Sequence, residues 1–232
     1  MVRWWLAVVL VVGVGCQGRT AGDSPEPEGS TSETPPAPEY CPEGPGGWVA
    51  GRVLRPEWQQ ATGQVPPDAA STDPEAPVVE RRAIPAPQVP VRLYRHGEET
   101  TLASGQTDAK GRWCLRVDAD LGFGVDLLAE ATVDETPLRR PVITREGQVI
   151  SLRTEALVRL MSDRQIPLSA VPRSVYLNME AMAATAVDLI EPVDWQPDET
   201  LASGIDRTVE RLGSEERLAK KLQRLGDNGA EP

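Results

Sequence analysis

The chain carries one histidine and three cysteines, and its 24 Lys and Arg are outnumbered by 35 Asp and Glu. Each scarcity excludes something. A zinc peptidase needs several His and carboxylate ligands at helical or strand spacing, whereas the lone His96 lies in Arg95-His96-Gly97-Glu98, which reads as an exposed turn. A serine hydrolase needs a base beside its nucleophile. Ser104-Gly105 and Ser203-Gly204 lack the Gly-x-Ser-x-Gly elbow, and a turn histidine serves neither. Asp118, Asp120 and Asp126 offer the oxygen ligands that calcium prefers, but they have no recognised loop spacing and Leu121 to Gly124 interrupt them, so they read as solvated turn carboxylates. The sequence therefore assigns no catalytic, cofactor-binding or metal-ligating residue and implies no cofactor. A net charge of -11 argues against phosphate-backbone binding, which relies on Lys and Arg releasing counterions, so nucleic acid is not an expected partner.

The apolar run Trp4 to Val14 is shorter than the roughly 20 residues of a membrane-spanning helix. Behind Arg3 it reads as the hydrophobic region of an export signal. Gly13-Val14-Gly15-Cys16 resembles the lipobox of bacterial lipoproteins, in which small residues precede a lipidated cysteine. That resemblance implies a signal peptide over 1–15, a palmitate-bearing Cys16 and attachment to the membrane through N-terminal lipid. Given a Gram-negative envelope, Gln17 in place of the Asp that marks inner-membrane retention implies the outer membrane. Gly13 stands where that family usually has Leu, and ordinary cleavage after Gly15 with release as a secreted protein is the alternative.

Cysteine arithmetic bears on the same point. Three is an odd count for an exported chain, and lipidation of Cys16 leaves Cys41 and Cys114 as an even pair. A bridge between them would remove roughly 4 kcal/mol of unfolded-chain entropy in the loop-closure model; two separate buried thiols are the alternative. The span 16–47 is rich in Pro, Glu, Ser, Thr and Gly and reads as a disordered acidic tether.

From Trp48 the pattern changes to short β-like runs. Val49, Gly51 and Val53 alternate with Ala50 and Arg52; Val89, Val91 and Leu93 with Pro90 and Arg92; Trp113, Leu115 and Val117 with Cys114 and Arg116. Phe123 to Ala131 continues the scheme, and weaker runs lie at Leu138 to Ile143 and Gln148 to Leu152. No helical crossover separates these runs, which favours an antiparallel β-sandwich of six or seven strands. Thr107-Asp108-Ala109-Lys110-Gly111-Arg112-Trp113 has the residues of a strand-reversing hairpin, with Gly111 where positive φ is needed. With Gly51-Arg52-Val53 and Val89-Pro90-Val91-Arg92-Leu93, it resembles the carboxypeptidase regulatory-like (transthyretin-like) sandwich family over 48–152. The resemblance implies an accessory module that positions, stabilises or binds, without peptidase chemistry. A Pro-rich insertion at 55–88, containing Trp58, departs from the family's short loop and reads as irregular or disordered surface.

Beyond Ser151 the period becomes helical, giving a helical C-terminal region over 153–232. Leu152, Ala156, Leu157, Leu160 and Met161 form one stripe. Val175, Met179, Met182, Ala186 and Leu189 form a second after Pro172, and Leu201, Ile205, Val209 and Leu212 a third, with Asp198 or Thr200 near its start. A fourth helix begins at Ser214 and carries Leu218, Leu222 and Leu225 up to Gly226. These are core stripes in the first instance; the Met179 and Met182 face is the alternative as a partner groove. The expected function is that of a non-catalytic envelope lipoprotein, a binding or scaffolding module for another envelope protein or a glycan. The alternative is an envelope hydrolase, or its accessory domain, acting on cell-wall or carbohydrate material. Thiol counting under denaturing, non-reducing conditions checks the cysteine arithmetic: no reactive thiol is expected in the mature protein, and two would mean that Cys41 and Cys114 are unbridged.

Overall fold

Val49 and Val53 alternate with Trp48 and Ala50 along β1 (Gly47–Gln60), and this strand buries both faces. The valines enter the larger core, whereas Trp48 and Ala50 join a small cluster with Cys114. The computed structural model describes residues 36–60, 79–187 and 200–229, so 1–15, Cys16 and Leu189 lie outside the described residues. β1 pairs antiparallel with β5 (Arg112–Val117) from Gly47↔Val117 to Arg52↔Arg112, then with β2 (Val79–Pro85) from Leu54↔Pro85 to Gln60↔Val79. Val53 is the hand-over: its N–H donates to Gly111 O at 2.8 Å and its carbonyl accepts from Ala86 N at 3.0 Å. β8 (Gln148–Ile150) joins parallel to Gly51–Val53. It approaches this closely because position 51 has no side chain; a Cβ there would stand 2.0 Å from Gln148 O.

The second sheet runs β4 (Thr101–Gln106), β3 (Pro90–Arg95), β6 (Leu127–Val133), β7 (Thr136–Pro141), all antiparallel. Val49, Val53, Trp113 and Leu115 of the first sheet share one core with Val91, Leu93, Leu127, Ala129 and Leu138 of the second. Full burial of each of these Val and Leu side chains contributes about 1.5–3 kcal/mol. The described residues thus form two four-stranded, mainly antiparallel sheets followed by helices, an arrangement compatible with a β-sandwich.

Several sequence expectations change here. The segment 55–88 is not irregular where it is described, because 55–60 and 79–85 form a strand pair. Prolines are tolerated in it for a simple reason. Val53 directs both its polar groups toward Gly111 and Ala86, so strand alternation turns position 56 away from β2, and a missing N–H at Pro56 breaks no ladder bond. The disorder expected over 16–47 does not extend through 36–46, where Ala37 and Cys41 pack on Trp48, Ala50 and Cys114. The Thr107–Trp113 turn is not a hairpin, since β4 and β5 belong to different sheets and it forms the corner between them. The strand expected from Phe123 begins only at Leu127. β6 and β7 meet at a two-residue turn in which Asp134 (φ 47°) and Glu135 (φ 63°) are both left-handed, without the glycine that usually marks such a turn.

β6 also buries both faces: Leu127 points into the sheet core, and Leu128, with Val125 and Ile143, into a second core built by the helices. Ser151 caps α1 (Leu152–Asp163) in a capping box with Thr154. α1 contributes Ala156, Leu157, Val158, Leu160 and Met161 to that core. Pro172 precedes α2 (Arg173–Ala186), whose buried stripe is Tyr176, Met179 and Ala183; Val175, Met182 and Ala186 are half-buried, one position off the expected centre. Thr200 caps α3 (Leu201–Ser214) by accepting from Ser203 N. Ile205 of α3 reaches the sheet core and Leu212 the helical one, so this helix joins the two. α4 (Glu216–Gly229) starts after Ser214, with the Glu215 carboxylate accepting from Leu218 N at 2.6 Å. It runs through Gly226, burying Leu218 and Leu222.

The join between sheet and helices is electrostatic as well as apolar. Glu155 of α1, 0% exposed, accepts from Arg139 N (2.8 Å), Nε (2.9 Å) and Nη2 (2.7 Å), and from Arg159 Nε (2.9 Å). Arg159 also reaches Asp206 of α3 at 2.8 Å. Removing one partner of a buried pair strands the others, at about 3–5 kcal/mol. Glu155→Ala should destabilise the chain by about that amount in chemical denaturation, with Glu155→Gln falling between it and the parent.

Candidate functional site

β4 and β5 are the terminal strands of their respective sheets, and a groove of about 510 Å³ lies between their edges. Its walls are 102–108 of β4 and the following turn, and 112–116 of β5, with Tyr40 and Pro42 at one side. A second hollow of about 400 Å³, lined by Pro45, Asp118 and Leu121, shares Leu102 and Arg116 with it. Tyr40 (36% exposed) and Leu102 (41% exposed) are two of the three large exposed hydrophobics among the described residues. The third, Leu177 on α2, stands apart from the groove. Exposed apolar surface gathered at one concavity is the ordinary mark of a binding site.

The geometry of the groove follows from the corner that builds it. Asp108 Oδ1 accepts from Lys110 N (2.8 Å) and Arg112 N (2.9 Å), its Oδ2 accepts from Arg112 Nε (2.7 Å), and Gly111 closes the turn at φ 67°. The buried Thr107 hydroxyl donates to Ala86 O at 2.6 Å and accepts from Val89 N at 2.9 Å, tying the corner to the β2–β3 connection. Cys41 and Cys114 lie at disulfide distance, their sulfurs 1.97 Å apart, and pin 36–46 across the outer face of β1 and β5. That strap presents Tyr40, whose ring takes the Arg112 guanidinium at 4.4 Å, and Pro42, whose carbonyl accepts from Arg116 Nε at 2.6 Å. Arg116 reaches no carboxylate among the described residues. Partial burial pushes the Tyr40 phenol up, and the nearby Arg112 and Arg52 charges only partly offset it.

The residues singled out in the sequence fall as follows. Cys41 and Cys114 meet; Cys16 lies outside the described residues. His96 is exposed in its turn, donating its backbone N–H to Asp126 O at 2.7 Å. Asp126 is occupied by Arg95 at 2.6 Å, while Asp118 and Asp120 are exposed. No group of three or more His, Cys, Asp or Glu able to hold a metal occurs among the described residues. Met179 is core and Met182 half-buried. Trp58 lies in β1 opposite Arg81. Sequence reading missed the groove because β4, Thr-Leu-Ala-Ser-Gly-Gln, lacks clear apolar alternation; its absence of charge and proline was the available signal. No known protein family, curated protein or solved structure matches the chain.

Asp108 supplies a pH-dependent term. Slight burial pushes its carboxyl up, but hydrogen bonds from the Arg112 side chain and from the Arg112 and Lys110 backbones outweigh this and hold it below the ordinary value of 3.8. A lowered folded pKa adds stability above the ordinary carboxylate range that is lost as pH falls through the lowered value. Denaturation at stepped pH should show this loss in the parent and a flatter acid limb in Asp108→Asn.

Proposed function

We propose that this chain is a lipid-anchored, non-catalytic envelope protein, attached through Cys16 to the outer membrane, whose two-sheet body is a carboxypeptidase regulatory-like (transthyretin-like) β-sandwich acting as a binding or scaffolding module. The observation that carries the binding role is the groove between β4 and β5, where Tyr40 and Leu102 are exposed together. Supporting the anchor are the Gly13-Val14-Gly15-Cys16 stretch and the cysteine count, because Cys41 and Cys114 occupy each other and leave Cys16 over. Acyl chains buried at about 0.8 kcal/mol per CH₂ would hold the N-terminus at the bilayer, and the acidic spacer would let the body stand clear of it. The partner is another envelope protein or a glycan.

No helix among the described residues is long and apolar enough to cross a membrane. Metabolic labelling with palmitate should mark the parent and fail in Cys16→Ala; unchanged labelling would refute the anchor. Cross-linking in intact envelopes should recover a reproducible partner. Turnover of cell-wall glycan by the purified chain, with no partner recovered, would favour the hydrolase instead.

A further inference from the structure

The two sheets do not treat their edges alike. β7, at one end of the second sheet, is met by α1, whose Glu155 takes the Arg139 backbone N–H. β5 carries two charges, Arg112 and Arg116, and the strap lies across its outer face through Cys41, with Pro42 O taking the Arg116 side chain. β4, at the other end of the second sheet, has neither cover. Apart from its ladder with β3, no hydrogen bond from another element reaches 101–106 among the described residues. Edge strands are ordinarily protected by charge, proline, a bulge or a covering element; β4 has no charged residue and no proline in its six residues, five of them exposed, and its one irregularity, the register shift that leaves Leu102 without a partner on β3, lies toward its start. Thr107 N–H donates to Val89 O and its carbonyl accepts from Gln88, so strand alternation turns the N–H and C=O of Gln106 and Ser104 away from β3. The regular part of this edge, Ala103 to Gln106, is about 13 Å long at roughly 3.3 Å per residue.

The charges beside this edge select what would pair with it. Arg116, across the groove, lacks a carboxylate among the described residues. Arg112 shares Asp108 but stands directly opposite Arg52 on β1, and like charges facing across a ladder repel. An added anion would relieve both. The acidic residues nearby are Asp108, held by Arg112, Asp118, exposed in the adjoining hollow, and Glu98 and Glu99, exposed ahead of β4. A second copy of this chain is a poor occupant, since two chains of net charge -11 repel far more strongly than one such chain and a short segment carrying a few carboxylates.

We infer that the open edge of β4 receives an extended acidic peptide segment of a partner protein as an added strand, with Arg116 engaging a carboxylate of that segment. This rests on the binding-module reading and narrows it to strand addition, in which backbone bonds supply affinity and the flanking groove supplies selection. Ser104 and Gln106 would pair with the incoming backbone, and Leu102 would take an apolar side chain.

The test uses the full-length chain in detergent and a dye-labelled nine-residue peptide that alternates Val with Thr and carries two Glu. Fluorescence anisotropy should show saturable binding, weakened about tenfold or more when both Glu are replaced by Lys. Ser104→Pro, which removes an outward N–H without touching the β3 ladder, and Arg116→Glu should each weaken binding of the acidic peptide about tenfold, with melting temperatures within a few degrees of the parent. Should Ser104→Pro unfold the chain, hydrogen exchange on the parent decides: the Ser104 and Gln106 amides should slow when peptide is added, and unchanged exchange would overturn the inference. Equal affinity for the Glu and Lys peptides would overturn it too, as would peptide-free dimerisation of the parent that Ser104→Pro abolishes, which would assign the edge to a second copy. An envelope partner captured equally by the parent and Ser104→Pro would sink strand addition while leaving the binding-module reading intact. Absence of both peptide binding and any captured partner would bring down both.

Discussion

A single carboxylate holds the two halves of this protein in register. Glu155 is removed from water entirely, and an isolated carboxylate could not be: its cost is offset because β7 offers it a backbone N–H and a guanidinium fork while Arg159 closes the remaining side. The same arginine passes the link to Asp206, so the first and third helices are set against the sheet by one continuous chain of charges. A second such node lies nearby. Arg140, buried between β7 and α2, donates to Gln148, Val149 and Glu180, binding the end of the second sheet to β8 and to the helix above it. Apolar packing supplies the driving force here, and these ion pairs give it one geometry.

The first sheet solves a different problem. β1 has more partners than one strand usually has, taking β5, then β2, and β8 along the way. Three conditions make this possible: the hand-over at Val53, the bare backbone of Gly51 and the corner tied by Thr107 and Asp108. The strap fixed by Cys41 then covers the outer face of this sheet and buries Trp48, which would otherwise expose a large apolar surface. Closing a loop of separation 73 also costs the unfolded chain roughly 4 kcal/mol of entropy in the loop-closure model. Among the described residues, the flank where β4 and β5 run side by side stays uncovered, and the exposed Tyr40 and Leu102 collect there.

Much of the element pattern was legible in the sequence. Alternation marked β1, β3 and β5 because each has a face in the core, and the 3.6 period marked α1 and α3 because Ala156, Leu157, Leu160 and Met161 in the one and Ile205 and Leu212 in the other recur at helical spacing on buried faces. The misses have physical causes. β2 and the far half of β1 were hidden by prolines that happen to lie where no ladder bond is lost. β4 was hidden by small polar residues that suit an edge, and the β6–β7 turn by Asp134 and Glu135 holding left-handed angles without glycine. The stripe of α2 was read one residue off because Tyr176, with a polar tip, was not counted as core.

The sequence by itself determined the order of β-like and helical segments, the two cysteines left to pair once Cys16 is set apart, and the turn chemistry at Asp108 and Gly111. All of these rest on local spacing or on counting. Tertiary structure alone decided which sheet each strand joins, that the Thr107–Trp113 turn is a corner, and which carboxylate is buried. It also decided that the β4 edge stays open among the described residues. The reason is that an edge is defined by what fails to pack against it, and a buried ion pair by partners distant in sequence, so neither leaves a periodic trace along the chain.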